Sequence, residues 1–175
     1  MKKWMTIGLV AAAAVLAWVW RSHAASGDLP DPVKTPGAVN PDLSLKQFRK
    51  LCHKHEWTTA FRPPEEYTYE LKKRQLQEGY GGYGDKSPHL YEEDHLIPLC
   101  LGGAPRDERN LWPEPWAGAW GAETKDDLED VLCRMACNGK IDLAKAQKEI
   151  ARDWIAAYKK YVKHPRKKKR HVDHW

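Results

Sequence analysis

The sequence predicts an α+β fold that is mainly helical, with one small two-stranded hairpin set among the helices. Three observations predict it. Apolar residues recur at helical intervals in several stretches, while two short strand-like runs flank Pro98 and the Gly102-Gly103 turn in mid-chain. No internal repeat is visible, and 175 residues with 42% hydrophobic content suffice for one domain with a real core, not two. Helices must then cover the hairpin, because an isolated one is marginal in water.

Residues 1–24 read as a signal peptide. Lys2 and Lys3 precede an apolar run from Trp4 to Trp20, and Ser22-His23-Ala24 offers the small residues a signal peptidase reads, with cleavage expected after Ala24. The run is slightly short for a membrane span, which needs about 20 residues, so an uncleaved anchor is the lesser alternative. Export follows either way. Residues 25–41 form a Pro-rich linker with Pro30, Pro32, Pro36 and Pro41, expected as an extended tether. The folded domain spans 42–162, and residues 163–175 are a basic tail expected to be disordered.

Within the domain, Leu45, Phe48 and Leu51 predict a short helix starting near Asp42 or Ser44. Trp57 to Arg62 is expected to be extended, with Pro64 opening a helix over Glu65 to Glu78. Residues 79–84 form a glycine-rich loop; Tyr80 and Tyr83 there are candidates for stacking on bases, though such a stretch is more often simply a turn. Later, Leu128, Val131, Leu132 and Met135 give a helix over Ala122 to Cys137, ended by Asn138-Gly139. A last helix is predicted over Leu143 to Val162, its Trp and Tyr residues serving the core.

Four cysteines in an exported chain imply two disulfides, with three connectivities open. Cys133 and Cys137 lie one helical turn apart on one face, so each is expected to bridge a separate partner; Cys52–Cys137 with Cys100–Cys133 is the favoured pairing. A zinc site built on Cys52, His53 and His55 is the competing reading, and it lacks the usual Cys-x-x-Cys pairs.

The formal charge of +5 falls to +2 once Lys2, Lys3 and Arg21 leave with the signal, and the tail alone carries +5. The body is therefore about −3 and is not a basic nucleic-acid binder. Broad attraction to DNA, RNA or an anionic surface must come from the tail or from Lys72, Lys73 and Arg74.

The chemistry concentrates in Y-E-E-D-H-L-I-P-L-C-L-G-G-A-P-R-D-E-R-N-L-W-P, Tyr91 to Pro113. Hydrolysing a phosphodiester needs a base for water and a cation for the phosphate and leaving oxygens. His95 suits the first task and Asp94, a hard oxygen donor, the second, with one Mg²⁺ or Mn²⁺. Neighbouring strand residues face opposite sides, so this pair can share a site only where the strand ends or bends, as Pro98 and the double glycine allow. A second strand through Arg109, Asn110, Leu111 and Trp112 would return Asn110 to His95, where its amide could accept the imidazole N–H.

That run resembles the His-Me finger (HNH, or ββα-metal) nuclease superfamily over Tyr91 to about Leu132. The segments P-G-A-V-N-P, F-R-P-P-E-E-Y-T, N-L-W-P-E-P and K-D-D-L-E extend a resemblance, from about Pro36 to Tyr161, to a group of small exported bacterial proteins. The superfamily pattern implies a ββα-metal core, His95 as general base, Asp94 as metal ligand and Asn110 as the residue orienting the base. It also implies a second metal ligand from the following helix. That helix has no His, so Asp126 takes the place ahead of Glu123, and Lys125 is assigned to the scissile phosphate. The implied function is an exported, metal-dependent endonuclease of low sequence specificity acting on DNA or RNA. The alternative is a catalytically silent envelope protein with the same scaffold that binds an anionic partner through its tail.

Overall fold

The computed structural model describes residues 29–54 and 56–165; the segment read as a signal peptide, His55 of the competing zinc reading and most of the basic tail lie outside them. The fold is α+β and mainly helical. Its elements are α1 (Leu45–Leu51), α2 (Glu65–Gln77), β1 (Tyr91–His95), β2 (Leu111–Pro115), α3 (Ala122–Cys137), α4 (Leu143–Arg152) and α5 (Trp154–Tyr161), joined by turns and short 3₁₀ segments. Strands β1 and β2 pair antiparallel, Asp94 opposite Trp112 and His95 opposite Leu111. Among the described residues no helix is long and apolar enough to cross a membrane.

Local chemistry starts and stops these elements. Ser44 caps α1 in a reciprocal box with Gln47, and the fixed φ of Pro64 opens α2. Gly139, at φ +67, follows α3 in the left-handed conformation a helix stop favours. The apolar faces of α3, α4 and α5 meet in a core of Leu128, Leu132, Ile150 and Trp154, which reaches Phe48 of α1 and Trp112 of β2. This core is what covers the hairpin.

Two disulfides tie the layers, Cys52–Cys137 and Cys100–Cys133, in the pairing favoured from the sequence. Their sequence separations are 85 and 33 residues, so each contributes about 4 kcal/mol in the chain-entropy model.

Four expectations need correction. The last helix is two, because Asp153 is extended (φ −168°, ψ 94°) and its carboxylate accepts from the Ala156 amide, capping α5 where α4 ends. Trp57 to Arg62 forms successive turns, with Thr59 N–H bonded to Glu56 O and Phe61 N–H to Thr58 O. The described part of the Pro-rich segment is not a tether: Gly37 donates to Arg109 O, Ala104 to Ala38 O and Asn40 to Gly102 O, and Thr35 is buried against Leu111 O. Tyr80 is no stacking platform, being 2% exposed with its hydroxyl bonded to Thr35, while Tyr83 stacks on Tyr91.

Candidate functional site

Beside β1 lies a cleft of about 430 Å³, lined by Arg62 and Lys72 and by Glu92, Glu93, Asp94 and His95 of the strand. Asp94 and His95 both reach it because β1 ends at His95, where strict alternation of side chains lapses. The chain then turns through Pro98 and returns at Gly103, whose backbone presses on Ile97: a Cβ there would lie 1.7 Å from the Ile97 carbonyl oxygen. Only glycine fits.

Asn110 locks this turn. It lies in a 3₁₀ segment (Glu108–Asn110) just before β2, not inside the strand. Fully buried, its amide accepts from Ile97 N–H at 2.9 Å and donates to Ile97 O at 3.0 Å and Ala104 O at 3.1 Å. It therefore does not accept the imidazole N–H. The imidazole partner is the Pro105 carbonyl, 3.0 Å from His95 Nε2, one residue beyond the Ala104 that Asn110 holds. Asn110 positions the base through the loop. Asn110→Ala strands three buried backbone groups and is expected to cost about 2–4 kcal/mol in chemical denaturation.

A carbonyl can only accept, so Nε2 carries the proton and Nδ1 keeps its lone pair. Burial pushes the His95 pKa below its ordinary value, ahead of the opposing pull of Asp94, so the ring is neutral at pH 7. A neutral imidazole with a fixed tautomer and a free Nδ1 is the form a general base requires.

Lys125 is not in the cleft. It is fully buried beneath Asp94, its ammonium bonded to the carboxylates of Asp94 and Glu129 and to His95 O at 3.0 Å, with Glu114 at 3.8 Å. It cannot touch a scissile phosphate directly. Burial opposes its charge, yet Asp94, Glu129 and Glu114 together hold its pKa well above the ordinary lysine value. Asp94 is correspondingly an ionised carboxylate: burial is the largest influence and works against it, but Lys125, together with Glu114 and His95, holds its pKa below the ordinary value. Glu114 is a neutral acid, pushed up by complete desolvation and further by the neighbouring Asp94 charge, and neither of its carboxyl oxygens has a hydrogen-bond partner.

Asp126 lies on the exposed side of α3 and is not part of the cleft lining, although its charge is felt by Glu92 there. Glu123 is partly buried on the same first turn and is also not part of that lining. Among the other carboxylates that line the cleft, Glu92 is the one that shares a strand face with Asp94. Desolvation, then Asp94 and Asp126, raise its pKa to about 7. The i, i+2 spacing of Glu92 and Asp94 in a strand was the sequence signal for it.

Glu93 points to the other face, mostly buried near Lys72, with neither carboxyl oxygen hydrogen-bonded. Desolvation pushes it to about 9. Because the folded value lies above the ordinary 4.5, its contribution to stability is complete below pH 4.5 and is lost as pH rises through 9. Melting temperature is expected to fall from pH 5 to pH 9, and Glu93→Gln is expected to flatten that fall while matching wild type at pH 5.

No family model, no curated protein and no solved structure matches this chain.

Proposed function

We propose that the protein is an exported phosphodiester hydrolase, a nuclease of low sequence specificity built on a ββα-metal core formed by β1, β2 and α3. The observation that carries this reading is the His95 imidazole, neutral, tautomerically fixed by Pro105 O, and beside an ionised Asp94 in one open cleft. Base and cation-holding group are the two requirements for hydrolysing a phosphodiester.

The oxygen donors suit one Mg²⁺ or Mn²⁺. Asp94 uses one carboxylate oxygen on Lys125 and lines the cleft with the rest, and Glu92 lies on its side of the strand. Magnesium is typically held by one or two carboxylates, with water and substrate phosphate completing the shell. Among the described residues no three carboxylates converge, so water and substrate phosphate would have to complete the shell. When bound, such an ion would offset charge on the phosphate and on the departing oxygen.

The chain's own residues do the remainder. His95 Nδ1 takes the proton from water as that water attacks phosphorus, and Pro105 O accepts the Nε2–H throughout and steadies the imidazolium. Arg62, at the cleft wall, supplies a cation for the phosphate in place of buried Lys125. Two disulfides support an oxidising compartment, and DNA and RNA both meet these requirements.

A silent scaffold is the second reading, favoured by one observation: a buried ammonium already neutralises Asp94. Supercoiled plasmid and a structured RNA, incubated with the protein and Mg²⁺ or Mn²⁺, separate the two. Nicking or cleavage abolished by chelator is expected. Both substrates surviving intact with every divalent ion would leave the scaffold reading.

A further inference from the structure

We propose that the protein, once its disulfides are reduced, binds one thiophilic divalent cation such as Zn²⁺ through Cys52, Cys137 and His53. Donor atoms of these three residues lie within 4.8 Å of one another, the one such convergence of three among the described residues. The covalent bond accounts for the closeness of the sulfurs. It does not account for His53, whose Nδ1 points at Cys137 Sγ from 3.3 Å.

The donors come from two elements that the core holds in register. Cys52 caps α1 and His53 follows it, while Cys137 ends α3, with the Cys52 and Cys137 Cα atoms 5.6 Å apart. Tetrahedral zinc, with Zn–S about 2.3 Å and Zn–N about 2.0 Å, asks only for side-chain rotation at that separation. Two thiolates and a neutral imidazole balance the ion's charge. His53 is exposed at the mouth of a recess of about 190 Å³, so the ion has an entry path and water can fill the fourth position. Cys100 and Cys133 line the same recess without joining the convergent set.

The redox step balances simply. A phosphine cleaves the S–S bond and leaves as phosphine oxide, taking its oxygen from water, and the two sulfurs become thiols. Zinc then displaces both thiol protons. The same two elements would thus be fastened by a bond when oxidised and by an ion when reduced. This does not rest on the nuclease reading.

The test uses the full chain, reduced with phosphine under anaerobic conditions and titrated with zinc against a chromogenic chelator. We expect one tight equivalent for reduced protein and none for oxidised protein, with zinc raising the melting temperature of the reduced form alone. The pair Cys100→Ser with Cys133→Ser should keep the equivalent, Cys52→Ser with Cys137→Ser should lose it, and His53→Ala should weaken it by at least about tenfold. Reduced wild type that binds no zinc overturns the proposal without recourse to any variant. So does binding that survives the Cys52/Cys137 pair, or that is lost with the Cys100/Cys133 pair, since either would place the ligands elsewhere.

Discussion

Lys125→Met is expected to destabilise the fold by about 3–5 kcal/mol, the usual cost of deleting one partner of a buried ion pair. The side chain is wholly inside the protein, so its ammonium has no water to replace its protein partners. Methionine nearly fills the volume but leaves the ionised, largely buried Asp94 without its counter-charge and takes a hydrogen-bond partner from Glu129, whose carboxyl burial pushes up to about 8. Glu114 matters less, because it is already a neutral acid there. Glu114→Gln should therefore change stability by less than about 1 kcal/mol, whereas adding Asp94→Asn and Glu129→Gln to Lys125→Met should restore much of what the single change loses. Urea midpoints for this set measure it. A Lys125→Met midpoint close to wild type would mean the ammonium is not the cation on which these carboxylates depend.

The same residue shows where reading the sequence stopped. The spacing of Asp94, His95, Gly102-Gly103 and Asn110 located the hairpin and its turn, because tight turns and strand ends demand particular residue types. The helix over Ala122 to Cys137 was legible from its apolar stripe, and the shared face of Cys133 and Cys137 showed that each bridges a separate partner without showing which. Lys125 was not, since period alone cannot tell which polar residue on the first turn of a helix points inward; burial depends on the carboxylates waiting across the gap. Nor could spacing separate an amide that bonds the imidazole from one that bonds the loop beside it, which is the difference between the expected and observed Asn110. Asp153 is a further case: helical periodicity runs straight through it, and only its own side-chain cap on Ala156 breaks the helix.

If His95 is the base, His95→Ala should lower plasmid nicking by about 10²–10⁴-fold, assayed well below its melting transition because truncating this buried, hydrogen-bonded side chain also costs stability. Loss alone would not distinguish a base from a supporting residue. The pH profile does. Burial sets the folded pKa below 6.5, and Nδ1 works only when unprotonated, so wild-type kcat/KM should rise with pH through an inflection below 6.5. The Asp94 charge next door pulls the value upward, so Asp94→Asn should move any residual activity's half-maximum to lower pH. Free imidazole adds an independent arm: His95→Gly opens space in a cleft of about 430 Å³, and imidazole in solution should restore part of the lost rate with a dependence on its unprotonated form. A wild-type profile with no inflection below pH 6.5, together with no rescue, would assign the proton transfer to another group and reduce His95 to a residue that braces Pro105.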